Sequence, residues 1–100
     1  MHVLEAKETG PDGLEGLRAE LDEADSALVE LLARRCGLAR AIADVKTRAG
    51  LPIVDPAREA AVVRRAAALA RERAVDEEAV RRIFWSVIDL ARRIELEEAM

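Results

Sequence analysis

Five charged residues stand where the surrounding hydrophobic pattern calls for apolar ones: Arg35, Lys46, Arg58, Glu59 and Glu95. An unpaired charge is costly to bury, so each of them needs a partner or a ligand. Arg35 and Lys46 are eleven residues apart. On one helix that separation turns them by roughly 20° and spaces them by about 16 Å along the axis, so two long side chains leaning together can clasp one small molecule. Cations outnumber carboxylates in the set, and a guanidinium fork is the natural grip for a carboxylate, which points to a small anionic metabolite.

Each residue also has a plainer explanation. Arg35 could be a polar position that fixes the register of a coiled coil, or a side chain snorkelling out of one. Lys46 suits the negative end of a helix, Glu59 the positive end of the next, and Glu95 a fraying terminus. Arg58, in a first helical turn, has no such account. What these explanations leave unaddressed is the convergence of cations and carboxylates, inward-pointing from three separate segments.

The segments follow from periodicity. Leu14, Leu17, Leu21, Ala24, Leu28, Leu31, Arg35, Leu38, Ile42 and Val45 alternate spacings of three and four, the a/d seam of a heptad repeat. Asp12, with Glu15 three positions on, is the expected cap, and Gly50 followed by Pro52 the expected stop. A helix of about 36 residues is roughly 54 Å long, against a radius of gyration of about 13 Å for a compact domain of this size. Its apolar stripe therefore calls for a partner helix, most simply from a second copy. Asp55 as N-cap with Pro56 behind it predicts a second helix to about Arg73. Its inward rows place Val62 and Leu69 below Arg58, and Val63, Ala66 and Ala70 below Glu59. Asp76 caps a third, with Val75 as staple. There Val80, Ile83, Phe84, Val87, Ile88, Leu90, Ala91 and Ile94 form a broad apolar arc, and Arg81, Trp85, Asp89 and Arg92 make up the polar side. This third helix is expected to be the most enclosed. The fold class is all-α, three helices per chain (long, short, medium) forming an intertwined helical homodimer. Residues 1–11 are read as a flexible lead-in that includes His2, and residues 12–100 as one helical domain.

Composition narrows the function. A hundred residues give a marginal single-chain core, which dimerisation relieves. A net charge of −4 and only one Trp and one Phe, with no Tyr, argue against nucleic acid as a partner. No apolar run approaches the roughly 18 residues of a membrane span, and the N-terminus lacks the apolar centre of a signal peptide, so a cytoplasmic protein is expected. Cys36 is the single cysteine and is read as a small buried or half-buried side chain. No metal site or nucleophilic constellation can be assembled, and no cofactor is expected.

Taken in order, LRAELDEADSALVELLARR (17–35), AIADVK (41–46) and GLPIVDPARE (50–59) resemble the all-helical chorismate mutase family, small three-helix proteins that form intertwined dimers. The resemblance covers Leu17 to Glu95. It implies conversion of chorismate to prephenate by a Claisen rearrangement, a unimolecular reaction of a small dianion that needs no nucleophile, metal or cofactor. It further implies that Arg35, and Arg18 contributed from the other chain, bind the two substrate carboxylates; on the sequence alone Arg18 reads as a solvated surface arginine. By the same resemblance Lys46 binds a carboxylate and the ether oxygen, Asp55 and Glu59 hold the ring hydroxyl, Arg58 completes the polar wall, and Glu95 faces the ether oxygen. Lys46, Glu95 and Arg35 are thus the expected catalytic residues.

Two departures from the family pattern stand out. Glu95 can donate to the ether oxygen only when protonated, so activity is expected to fall as pH rises and Glu95→Gln to flatten the profile. Ala91 stands where some members carry a serine near a carboxylate, which removes one hydrogen bond. Three alternatives share the fold: a 4-amino-4-deoxychorismate mutase, an isochorismate-pyruvate lyase (disfavoured because Asp55 and Glu59 follow the mutase pattern), and a non-catalytic helical dimerisation module.

Overall fold

A computed structural model describes residues 10–100, with side chains from residue 13 onward. Three helices account for nearly all of it: α1 (Gly10–Ala49), α2 (Pro56–Glu72) and α3 (Glu77–Ala99). The three-helix, all-α expectation is met. The lead-in expected over residues 1–11 lies mostly outside the described residues. Helix α1 is 40 residues long and begins at Gly10, two residues before the expected cap Asp12. Pro11 permits the earlier start, because a first-turn residue has no intrahelical partner for the amide hydrogen that proline lacks.

The ends of the helices follow from local chemistry. Gly50 adopts φ +72°, its N–H donates to the Thr47 carbonyl at 3.2 Å, and the Leu51 N–H donates to the Lys46 carbonyl at 2.8 Å. These are the paired bonds of a Schellman turn, which glycine enters without steric cost. Asp55 caps α2 by accepting from the Arg58 N–H at 3.1 Å, with Pro56 in the first turn. The α2–α3 connection repeats the Schellman pattern with a less suitable residue. The Val75 N–H donates to Ala70 and the Ala74 N–H to Arg71, while Ala74 sits at φ 60°. Asp76 then caps α3 through the Glu78 N–H at 3.0 Å, and the Arg71 guanidinium forks onto Glu77 at 2.8 and 3.1 Å, tying the end of α2 to the start of α3.

The chain divides into two compact units between Arg34 and Arg35. In the first, the leucine seam is open to solvent, with Leu21, Leu28 and Leu31 61%, 60% and 58% exposed. In the second, α2 and α3 pack as a hairpin. Here small residues make the core: Ala39 and Ala43 of α1, Val63, Ala66, Ala67 and Ala70 of α2, and Ile88 of α3.

Helix α3 is therefore not the most enclosed element. Ile88 is its only buried residue and Ile83 is 58% exposed, whereas α2 buries four. Alanine explains the reversal, since a row of short side chains lets a neighbouring helix approach closely and bury the row completely. The Glu59 row of α2 is the buried one, and Leu69 on the Arg58 row stays 39% exposed. Cys36 is half-buried and unbridged, as expected.

Candidate active site

Three helices supply the walls of a cleft of about 380 Å3, all within the unit that begins at Arg35. From α1 come Arg35, Leu38, Ala39, Ile42 and Lys46, one turn apart along a single face. Helix α2 contributes Arg58, Glu59 and Val62 from its first turns, and α3 contributes Ile88, Ala91, Arg92 and Glu95. Apolar side chains shape the cleft, and its polar groups are all charged: four cations face two carboxylates, leaving a formal excess of two positive charges.

Two of the cations are already paired. The Lys46 ammonium donates to the Ile53 carbonyl at 2.8 Å and to Glu95 Oε1 at 3.2 Å, leaving one of its three hydrogens for a ligand. The Gly50 turn matters here, because it folds the loop back so that a backbone carbonyl meets the side chain it anchors. Arg92 donates through Nε to Glu59 Oε2 at 3.1 Å and through Nη2 to Glu59 Oε1 at 2.5 Å. This fork raises the Arg92 pKa above its ordinary value, through the hydrogen bond first and the carboxylate's charge second. The Glu59 and Glu95 side chains are only 14% and 15% exposed, so both carboxylates depend on these partners rather than on water.

The other two cations are unpaired. Among the described residues, neither the Arg35 nor the Arg58 side chain has an ion-pair or hydrogen-bond partner. Arg35 is half-buried and Arg58 exposed. Two free guanidinium groups on the rim of one cleft can each take a carboxylate of a bound molecule, without breaking any contact of the folded chain.

Of the residues singled out from sequence, the structure brings Arg35, Lys46, Arg58, Glu59, Ala91 and Glu95 together in this cleft. Asp55 is not among its lining. It borders a neighbouring hollow of about 320 Å3 with Lys46, Leu51, Pro52, Val54 and Pro56, and one of its oxygens is engaged by the α2 cap. Arg18 lies in the other unit and is exposed.

Arg92 is the residue that sequence reasoning missed, having placed it on the polar side of α3. The signal was present: from buried Ile88, the positions three, four and seven residues on are Ala91, Arg92 and Glu95, one helical face. Arg92 lies beside Ala91 on that face.

An all-helical scaffold whose cleft carries a formal excess of two positive charges suits a small anion. The chain matches the chorismate mutase type II family over residues 17–96, belongs to that family, and is an isomerase by that membership. It is similar to the chorismate mutase of Methanocaldococcus jannaschii, 37% identical over 73 residues, covering 73% of this chain and 74% of that one. It is also similar to the 4-amino-4-deoxychorismate mutase of Streptomyces venezuelae, 36% identical over 87 residues, covering 87% of this chain and 84% of that one. A 50-residue stretch is 46% identical to the T-protein of Enterobacter agglomerans, half of this chain and 13% of that protein. No helix among the described residues is long and apolar enough to cross a membrane.

Proposed function

We propose that the protein catalyses the Claisen rearrangement of chorismate to prephenate, acting as a homodimer in the cytoplasm. The observation that carries this reading is the positive surplus of the cleft, which the partner's Arg18 would raise and a dianionic substrate offsets. Arg35 and the partner subunit's Arg18 hold the two carboxylates, and Arg58 completes the polar wall. The free hydrogen of Lys46 points at the ether oxygen, whose bond to the ring breaks as the new carbon–carbon bond forms. Glu95, beside Lys46, shares that end of the site. Glu59 faces the ring hydroxyl, and Asp55 assists from the neighbouring hollow. Catalysis then consists of holding the compact conformer and stabilising charge that develops at the ether oxygen, with donors already in place before the substrate arrives.

The solvent-exposed leucine seam of α1 supports the dimer, because a row of large apolar side chains on a long helix favours association. Subunit mixing tests the shared site. Arg18→Ala and Arg35→Ala, each nearly inactive alone, are expected to regain about a quarter of wild-type activity when unfolded and refolded together. Half of the random dimers are hybrids, and each hybrid rebuilds one of two sites. No recovery would refute the sharing of Arg18 between subunits. For the reaction itself, protein is incubated separately with chorismate, its 4-amino analogue and isochorismate, and the products are separated. Prephenate from chorismate is the expected outcome, and no turnover of any of the three rejects the enzyme reading.

A further inference from the structure

We infer that Arg92, by forking onto Glu59, is a specificity-determining residue that makes the cleft select a dianionic ring with an uncharged third substituent over one bearing an ammonium group. The inference rests on the dianion-binding reading above but does not require turnover. Among the described residues, Glu59 and Glu95 are the carboxylates lining the cleft, while Asp55 borders the neighbouring hollow with one oxygen engaged by the α2 cap. A ligand ammonium inside the cleft would need Glu59 or Glu95 as its partner.

Glu95 is held by Lys46 at 3.2 Å. Glu59 has both oxygens engaged by one guanidinium, at 3.1 and 2.5 Å, and its side chain is 14% exposed. A ligand ammonium placed there must either displace a bidentate fork or lie against the Arg92 positive charge, and both are unfavourable. A hydroxyl meets neither obstacle. It can accept from a guanidinium hydrogen that the fork leaves unused, or donate to a second lone pair of Glu59.

Without Arg92 the situation reverses. Glu59 would then be a half-buried carboxylate with no partner among the described residues, and a ligand ammonium would supply the missing cation. One side chain on α3 thereby decides whether the carboxylate on α2 is available to the ligand.

The test uses the full-length protein and two readouts. Binding is measured by calorimetry with 5-(hydroxymethyl)isophthalate and 5-(aminomethyl)isophthalate, ring dicarboxylates that differ in presenting a hydroxyl or an ammonium. Turnover is measured as kcat/KM for chorismate and for its 4-amino analogue. The wild type is expected to prefer the hydroxyl compound in both pairs. Arg92→Leu is expected to shift each ratio at least tenfold toward the ammonium compound. Glu59→Gln, which removes the carboxylate and leaves Arg92 in place, is expected to shift both ratios the opposite way.

A purely structural role for the pair would lower both members of each pair together and leave the ratios unchanged. Should Arg92→Leu fail to fold, Arg92→Lys and Glu59→Gln decide. Arg92→Lys keeps the charge but loses the fork, so a partial shift toward the ammonium compound is expected. Ratios that do not move, shifts of the same sign in Arg92→Leu and Glu59→Gln, or no binding preference in the wild type would overturn the inference. Absence of turnover by the wild type, with the binding preference intact, would overturn the mutase reading alone.

Discussion

Truncating Arg35 to alanine separates a binding role from a structural one more cleanly than any other change in the cleft. Its guanidinium has no ion-pair or hydrogen-bond partner among the described residues, so its loss orphans no group of the folded chain. Substitutions that break no buried contact usually change stability by no more than about 0.5 kcal/mol, which for a chain of this size is a melting shift of about 2–4 °C. Against the substrate the loss is larger. A fork onto a carboxylate is two charge-assisted hydrogen bonds of about 1.5–3 kcal/mol each. Discounting for the half-exposed position leaves about 3–4 kcal/mol, or roughly two to three orders of magnitude in kcat/KM. Arg35→Lys, keeping the charge without the fork, is expected to fall between alanine and wild type. The assay is steady-state conversion of chorismate, alongside thermal unfolding of the same preparations. A loss below about tenfold, or one that merely tracks a collapse in melting temperature, would refute the assignment. A marked rise in dimer stability with no effect on ligand would instead favour a non-catalytic dimerisation module.

Three further outcomes follow from particular contacts. Glu95→Gln replaces the carboxylate paired with Lys46 by an amide that can donate, so kcat for chorismate is expected to rise, and a fall would count against Glu95 standing at the ether-oxygen end of the site. Ala74, at φ 60°, occupies a left-handed position that costs a residue with a Cβ about 1–2 kcal/mol, partly offset by the about 0.5–1 kcal/mol of extra chain entropy glycine loses. Ala74→Gly is therefore expected to raise stability by about 0.5–1 kcal/mol and the melting temperature by about 2–8 °C, and a lower melting temperature would contradict the strain argument. The hydrogen bond from Arg71 holds the Glu77 carboxyl below its ordinary range, so the stability it contributes is present above the unfolded-state value of about 4.3 and is lost as pH falls through the depressed native one. Urea midpoints at pH 6 and pH 3 should show the gap between wild type and Glu77→Gln closing in acid, and a constant gap would count against the pairing.

The helices were legible because their signals are local. Asp55 with Pro56, Gly50 with Pro52, and Asp76 before an apolar arc mark boundaries through the unpaired groups of the backbone, which need no knowledge of the remainder of the fold. Arg35, Lys46, Arg58, Glu59 and Glu95 were legible as exceptions to periodicity. Which charge meets which was not legible, because pairing depends on how helices are rotated against one another. Arg92 shows the limit: its neighbours along α3 made it look like part of a solvated face, and only α2 packed alongside reveals Glu59 as its partner. Burial was misjudged for a related reason. The arc on α3 is wider than the surface that α2 covers within one chain, so Ile83 remains outside while the alanines of α2 are sealed.

The pairing pattern explains how so small a chain can prepare a charged site. Lys46 with Glu95 and Arg92 with Glu59 are internally neutral, so they hold polar groups at defined positions without opposing the fold. Arg35 and Arg58 are left to carry the surplus charge, and each is at least partly open to water, where an unpaired guanidinium is tolerable. The cations with the smallest structural commitment are thus free for a ligand, Arg35 for a carboxylate and Arg58 for the polar wall in the proposed reading. The side chain with the largest local commitment, Lys46, is fixed by a backbone carbonyl and a carboxylate and keeps one hydrogen in reserve. For a reaction that needs only a held conformer and a donor at one oxygen, the proposed roles fit this division: unpaired cations to take up the substrate, and a fixed ammonium with one hydrogen to spare for the reacting bond.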